Sequence, residues 1–586
     1  MCGIVGIISK DQPVAREQLE EMRQALAHRG PDGEGIYLSE NGQIGLGHRR
    51  LSLVELNDKG AQPMHKYDYT IVFNGEIYNY LELARTLQAE GHTLGSHSDT
   101  EVILTAYHAW GIDCIKRFNG AFAFILVDSS SDTTYIVRDR IGEKPLYYTE
   151  AKDAWLFASE VKAFKGLPGV HFEPDIDTIR SNLIFHFFAD KEATYFKGIR
   201  SVRPGHYLAI QSGRVTATQY WDVALGDGQP YDDPEKHIAS DIGEIGELLD
   251  DAVSIRLSAD APVGSLLSGG LDSSILTTMA ASKTAGELHS FNLYMDGQDD
   301  EDAAAAQRLA AAIPNITLHR TAIDNELFTM EALDAAVWHL EEIPLHKSLY
   351  LHKNYNAVRG AGLKAVLNGQ GSDEISLGYY NFYDFLQHEP ADLSLASFAD
   401  HWLTSCAFKQ YMPKADMQRL IDANLRKNYL PYMQQNDIVN SVLAFGVKTH
   451  LLNILNHEDR FSMAASVECR TAFTDYRVIE KFMRIPAKYK VYDGREKYLV
   501  RTLGNQLLPP GIADRKKTSF LPFAGDQEKQ LVDSIINDPG FVRSPLLNQL
   551  FNAQLFADLD GLSKSMRWKV AALYRFEQLF FTPDRG

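Results

Sequence analysis

Two short stretches carry residue types that could do chemistry. One is Cys2, at the second position. A cysteine thiol is a strong nucleophile once it sheds its proton. With Met1 removed, Cys2 would carry a free α-amine beside the thiol. That amine titrates near neutral pH and can act as the thiol's base, so no histidine is required. The other is Leu266-Leu267-Ser268-Gly269-Gly270-Leu271-Asp272-Ser273-Ser274. A buried strand runs into a small glycine-rich turn, and a helix is expected to open at Ser273-Ser274. Glycines let backbone N–H groups approach an anion closely, and a helix N-terminus adds unpaired donors and partial positive charge. Ser268, Ser273 and Ser274 add hydroxyl donors, and Asp272 could hold a magnesium ion on bound phosphates. No Gly-Lys-Ser/Thr follows, so this is not a Walker A loop.

The elements that position these stretches follow two patterns. Through Trp221, short apolar runs at residues 4–8, 70–73, 121–127 and 134–137 alternate with turn formers at Asn41-Gly42, Asn74-Gly75 and Asn119-Gly120. Helices are expected at 16–26 and 79–90. This is an α+β pattern built mainly on antiparallel sheet. Residues 222–234 are rich in Gly, Asp and Pro and read as a linker. Beyond it, an amphipathic helix is expected at 237–257. Short buried strands at 263–267, 290–294, 317–323 and 364–367 alternate with Ala-rich helices, the signature of a parallel α/β sheet. From Tyr379 onward the chain reads as mostly helical. The domains expected are therefore 1–222 and 223–586.

Composition excludes other classes. The 586 residues are 45% hydrophobic and 23% charged, which argues against disorder, collagen and coiled coil. Lys and Arg number 58 against 77 Asp and Glu, a formal net charge of −19. Nucleic acid and anionic membrane are therefore not expected as partners. Cys2, Cys114, Cys406 and Cys469 are far apart, which argues against a disulfide framework or zinc site and fits a reducing cytoplasm. No apolar run reaches the ~18 residues of a membrane span, and the N-terminus lacks the basic region of a signal peptide.

The segment Met1-Cys2-Gly3-Ile4-Val5-Gly6 resembles the start of class II glutamine amidotransferases, the N-terminal-nucleophile glutaminases. Further fragments of that pattern follow in order: His28-Arg29-Gly30-Pro31-Asp32, His48-Arg49-Arg50-Leu51-Ser52, Asn74-Gly75-Glu76-Ile77-Tyr78-Asn79, Ser98-Asp99-Thr100-Glu101 and Arg138-Asp139-Arg140-Ile141-Gly142. The resemblance implies that Arg50 holds the glutamine carboxylate and Asp99 its amino group. Asn74 and the Gly75 N–H would form an oxyanion hole. Leu53, Val54 and Glu76 complete the implied glutamine pocket.

The glycine loop resembles the pyrophosphate loop of N-type ATP pyrophosphatases, which cleave ATP to AMP and pyrophosphate and adenylate a substrate. A glutaminase followed by such a domain resembles the glutamine-hydrolysing asparagine synthetase family. That likeness continues at Leu367-Asn368-Gly369-Gln370-Gly371-Ser372-Asp373-Glu374, a second nucleotide loop, and at residues 458–475, a late helical motif. It continues again at Gly494-Arg495-Glu496-Lys497. It implies adenine contacts from Leu267 and Leu293, phosphate contacts from Asn368 and Gly369, magnesium shared by Asp272 and Asp373, and Lys497 as the catalytic cation.

The departures lie on the acceptor side. The family usually has Glu where this chain has Gln370. Before Tyr350 it reads Glu342-Ile343-Pro344-Leu345-His346-Lys347-Ser348-Leu349, without the arginine that grips aspartate in the bacterial branch. His346, Lys347, Tyr350 and Gln370 are thus the candidate acceptor residues, and the acceptor is aspartate or another carboxylic acid of a tailoring pathway. Two alternatives stay open: intramolecular amide formation of the β-lactam synthetase type, and a catalytically silent scaffold or sensor. The intact Cys2, Arg50, Asn74 and Asp99 weigh against the first, and the undamaged phosphate loop and nucleophile weigh against the second. The expected partners are glutamine, Mg-ATP and the acid, with a homodimer also compatible.

Overall fold

The computed structural model describes residues 2–295, 300–378, 395–434, 436–515 and 525–582. Its first part holds β1 (Cys2–Ser9), β2 (Gly33–Leu38), β3 (Ile44–Arg50), β4 (Met64–Lys66), β5 (Tyr69–Ile77), β6 (Gly120–Asp128), β7 (Thr133–Arg138), β8 (Tyr147–Ala151), β9 (Ala154–Ala158), β10 (Arg200–Ser201), β11 (His206–Gln211) and β12 (Arg214–Gln219). They form two antiparallel sheets, ordered β10-β8-β9-β1-β3-β2 and β12-β11-β7-β6-β5-β4.

The strands read as unbroken apolar runs because both of their faces are buried. Side chains alternate across a strand. Ile4 and Ile8 of β1 therefore meet Val72 of β5 and Ile125 of β6 between the sheets, while Val5 and Ile7 face the opposite side, with Leu19 and Met22 of the helix Arg16–Gln24. On the far side of the second sheet, Phe122 and Phe124 pack with Leu83, Leu87 and Ile103 of the helices Tyr80–Ala89 and Asp99–Trp110. The result is a helix–sheet–sheet–helix stack.

Residues 222–233 form no strand or helix. They run beside the helix Tyr476–Arg484, with the Gly226 N–H on the Met483 carbonyl at 3.0 Å. After the helix Pro234–Leu257 comes a parallel sheet of β13 (Val263–Leu266), β14 (Leu288–Met295), β15 (Ile316–Ile323), β16 (Ala365–Asn368) and β17 (Glu468–Thr471). Its order is β15-β14-β13-β16-β17. Successive strands add to one side of β13 and later ones to the other. The order therefore reverses between β13 and β16, and a crevice opens beyond their C-terminal ends.

The structure corrects several sequence expectations. Asn74-Gly75 is no hairpin turn: it lies inside β5, paired with Ala123 and Phe122 of β6. The loop helix opens at Leu271 rather than Ser273. Residues 458–475 are not one helical motif, because β17 lies between the helices His450–Ala464 and Tyr476–Arg484. Its sequence, Glu-Cys-Arg-Thr, lacks the apolar run of a buried strand because its charges are paired inside the protein: Arg470 bonds Glu468 at 2.7 Å and Glu76 at 3.2 Å. Finally, the helical stretch Ile438–Ala464 is long and apolar enough to cross a membrane by length and composition, and 72% of its most apolar window is buried inside the fold. Of the helical expectation beyond Tyr379, residues 379–394 lie outside the described residues.

Candidate active site

Strand pairing assembles the first centre. In the β1–β3 register Cys2 lies opposite Arg50 and Ile4 opposite His48. The backbone nitrogen of Cys2 donates to Asn74 Oδ1 at 2.9 Å. That leaves Asn74 Nδ2, fully buried, with no partner among the described residues. A buried amide donor without an acceptor is costly, and here it stands next to a nucleophile. Gly75 follows at φ +142, and an added Cβ would meet the Ala121 carbonyl oxygen at 2.1 Å. Only glycine lets the backbone lie this close to β6. Burial raises the Cys2 thiol pKa above its usual value. His48 is no base for it. Burial drives its pKa down to about 3, and its Nε2 lies 3.3 Å from the Phe73 carbonyl.

Around this centre, the Arg50 guanidinium reaches the carbonyls of Asn57, at 2.9 Å, and Glu55. Leu53 is buried, its carbonyl accepting from Asp260 N–H at 2.9 Å, and Val54 is partly exposed beside it. Asp99 Oδ2 accepts from Ile77 N–H at 3.1 Å, and burial raises its pKa to about 6. Glu76 is buried against Arg470, and its pKa is also raised, by burial and then by Asp99.

The second centre is the crevice between β13 and β16. Both glycine loops enter it. Gly269 has φ +90, and a Cβ there would meet the Asp302 carbonyl oxygen at 1.9 Å. Ser268 Oγ lies 2.9 Å from Ser273 Oγ and accepts from the Gly270 N–H at 3.2 Å. Ser274 is fully buried, and its Oγ has no hydrogen-bond partner among the described residues. Gly369 packs against Ser273, where a Cβ would meet the backbone nitrogen at 2.9 Å. Leu267 is buried, Leu293 is partly exposed on β14, and Asn368 Nδ2 lies 3.5 Å from Cys469 Sγ.

Lys497 ties the two loops together. Its Nζ lies 2.8 and 2.7 Å from the Asp272 oxygens and 2.8 Å from Asp373 Oδ1, and Ser372 Oγ donates to Asp272 at 2.7 Å. Burial opposes the charge on Lys497, but the two aspartates outweigh it and hold its pKa above the ordinary lysine value. Lys497 sits at φ +55, a strained conformation for a residue with a Cβ. Two carboxylates converging beside a phosphate-type loop are a hard-oxygen donor set that fits magnesium.

The acceptor candidates separate. Gln370 lies on the second loop and donates through Nε2 to Glu458 at 3.1 Å. Tyr350 is fully buried among Phe328 and other core residues. Lys347 is exposed at the start of the helix Ser348–Gly360, and His346 is half-buried edge-on to Trp568. The sequence reading assigned no role to Arg29 or Glu458, although both lie in its quoted fragments.

Comparison with known proteins finds two domains along the chain. A family described as glutamine amidotransferase domain matches residues 1–221, and one described as asparagine synthase matches residues 244–579. Asparagine synthetase [glutamine-hydrolyzing] 3 of Bacillus subtilis is 30% identical over 560 residues, covering 89% of this chain and 87% of that protein. Asparagine synthetase B of Escherichia coli is 29% identical, covering 100% of this chain and 92% of its own. Amidase chry2 of Gibberella zeae is 27% identical, covering 89% of each. With a glutaminase fold followed by this synthase domain, the chain belongs to the asparagine synthetase family, glutamine-dependent amidotransferases of the ligase class.

Proposed function

We propose that the chain converts a carboxylic acid to its amide through an acyl-adenylate, drawing nitrogen from glutamine at Cys2. The observation that carries this reading is the Lys497 ammonium held between Asp272 and Asp373, one from each glycine loop.

At the first centre the Cys2 thiolate attacks the glutamine side-chain amide, and the thiol proton passes to the α-amine of processed Cys2. That amine is the nitrogen on Asn74 Oδ1, so Asn74 positions the base with one end and offers its unpaired Nδ2 to the oxyanion with the other. Arg50 and Asp99 hold the α-carboxylate and α-amine of glutamine. Ammonia leaves, and water hydrolyses the γ-glutamyl thioester. At the second centre the backbone N–H groups of Ser268–Ser274 and Gly369 cradle the β- and γ-phosphates, with Leu267 and Leu293 against adenine. The acceptor carboxylate attacks the α-phosphate, pyrophosphate departs, and Lys497 stabilises charge on the phosphorus centre. Ammonia then displaces AMP. Asp272 and Asp373 would hold magnesium, which supplies charge neutralisation to the leaving pyrophosphate.

The acceptor is aspartate or another carboxylic acid. Gln370 in place of the family's Glu and the missing arginine before Tyr350 favour a different acid, and amidase-named relatives fit a tailoring role. A reducing cytoplasm suits the four free cysteines. The test is pyrophosphate release from Mg-ATP and glutamine against a panel of carboxylic acids that includes aspartate. Release with at least one acid, and amide as product, is expected. Glutamine hydrolysis without release for any acid would overturn the adenylate reading.

A further inference from the structure

A cavity lies at the domain boundary, apart from both centres. Arg138, Tyr147 and residues of the segment 188–196 wall it from the first domain, and Glu342, Asn453 and Asn456 from the second. None of the residues placed at the glutamine or nucleotide centre lines it. Atom centres have about 40 Å³ of room inside. One water takes roughly 10–15 Å³ by that measure, so the space suits about three waters, or the more closely spaced bonded atoms of one small molecule.

One wall is a chain of hydrogen-bonding side chains that ends unfinished. Tyr147 OH donates to Asn456 Oδ1 at 3.3 Å, and Asn456 Nδ2 donates to a Glu342 oxygen at 2.7 Å. His457 Nε2 stands 3.5 Å from the other Glu342 oxygen and 3.4 Å from Asn453 Nδ2. Asn453 Oδ1 then has no partner among the described residues, although Asn453 is only 8% exposed. Glu342 is 6% exposed, and no lysine or arginine pairs with it among the described residues. A buried acceptor without a donor and a buried carboxylate without a cation are both costly. Both call for N–H groups in the cavity.

The opposite need stands on the first-domain side. Lys191 is half-buried, and among the described residues its Nζ makes no hydrogen bond; the ring centre of Tyr432 lies 5.5 Å away. Burial and then Lys448 bring its pKa down to about 7 against the pull of Asp222, as for an ammonium short of counter-charge. Arg138 does not compete for an anion there. Its N–H groups go to the carbonyls of Gly142, Lys144 and Val202, each at 2.8 Å, and to Ser201 Oγ. The cavity thus presents a carboxylate and an amide oxygen on its buried side and one free cation on its half-exposed side.

We infer that this cavity binds a small α-amino acid, its ammonium on Glu342 and Asn453 Oδ1 and its carboxylate on Lys191. Each charged end meets a group that the fold leaves unsatisfied, and a ligand with one charged end leaves the other group unmet. The occupant joins the two domains, and the wall residue His457 directly precedes Glu458, to which Gln370 of the second nucleotide loop donates at 3.1 Å.

The test is calorimetric titration of the full chain with glycine, L-alanine and L-serine, and with acetate and ethylamine, which carry one charged end each. At least one amino acid is expected to bind saturably and about tenfold or more tighter than either half-ligand, as a charge-assisted hydrogen bond is worth. That affinity should fall by about the same factor in Lys191→Met and in Asn453→Leu and return in Lys191→Arg. Lys191 is half-buried, so its variants keep a readout if Asn453→Leu fails to fold. No binding of any of the three amino acids, equal binding of acetate or ethylamine, or an affinity untouched by Lys191→Met overturns the site. Affinity lost in Arg50→Met but kept in Lys191→Met would place the ligand in the glutamine pocket and overturn it as well.

Discussion

Arg29 and Asp459, 430 positions apart, form a two-point ion pair at 2.8 and 3.2 Å, and the same guanidinium donates through Nε to the Cys2 carbonyl at 3.1 Å. One fully buried side chain thus joins the nucleophile's backbone to the helix His450–Ala464 of the other domain. Glu160 shares the cluster with His28, Lys162 and Arg460. Asp459→Ala leaves part of a buried guanidinium uncompensated, which typically costs about 3–5 kcal/mol. We expect a lower urea midpoint together with slower glutamate release, although Asp459 belongs to the synthetase half. An unchanged glutaminase rate in the folded variant would show that Arg29 does not position Cys2.

Asn74 has two jobs at one side chain, so its variants separate. Asn74→Ala removes the oxyanion donor and the acceptor for the Cys2 nitrogen, and loss of one such donor lowers kcat roughly a hundred- to a thousandfold. Asn74→Asp keeps an acceptor for the nitrogen but no neutral amide donor, so KM for glutamine should move less than kcat. Cys2→Ala should abolish glutamine use while free ammonia still supports amide formation. Loss of the ammonia-dependent reaction would contradict the division of labour between the centres.

The fold was legible where burial is apolar and local. Residues 4–8 and 121–127 read as strands because both faces of β1 and β6 are covered, and the strand–glycine–helix order after residue 263 was legible because the periodicity switches at the loop, although the helix opens at Leu271, two residues earlier than expected. Legibility failed where charge is buried with a distant partner. Glu468 and Arg470 look like surface residues until Glu76, from the other domain, is placed beside them. Asn74-Gly75 carries the local signature of a turn, and only pairing with β6 makes it strand.

Asp475 sets an acid limit. It is buried with Arg256 at 3.0 Å and accepts from Asn119 Nδ2 at 2.8 Å. Burial pushes its carboxyl upward, but Arg256 and Arg477 prevail and bring it to about 2, below its ordinary 3.8. A depressed acid contributes stability that is present above the unfolded value and is lost as pH falls through the folded one. About 2 kcal/mol should therefore disappear between roughly pH 4 and pH 2. Denaturation midpoints of Asp475→Asn across that window should fall less steeply than those of the parent chain. Parallel pH profiles would assign the acid limit to other carboxylates.

Gln370→Glu tests the loop from the acceptor side. Glu458 is fully buried and its pKa is raised, by burial first, while its hydrogen bonds from Tyr355 and Gln370 pull it back. Glutamate at 370 would set two buried carboxyls within hydrogen-bond reach, and one must keep a proton. A raised acid contributes stability present at low pH and lost as pH rises through its folded value. The Tm deficit of Gln370→Glu should therefore be larger near pH 8 than near pH 5. A deficit independent of pH would mean that water relieves the pair.

Lys497→Met separates charge balance from catalysis. In the parent chain the ammonium neutralises Asp272 and Asp373 at 2.7–2.8 Å in a largely buried site. Methionine keeps most of the side chain's length and apolar stem but leaves two carboxylates facing each other, so the variant should melt lower in chelator. A divalent cation supplies the missing charge, and binding to the native state alone raises stability with ligand concentration. Magnesium should therefore raise the Tm of Lys497→Met more than that of the parent. Adenylation should not recover with it, because the charge on the phosphorus centre still lacks its partner. Pyrophosphate exchange into ATP measures that step without any ammonia. Exchange at the parent rate in magnesium-saturated Lys497→Met would show that the lysine only balances the two aspartates.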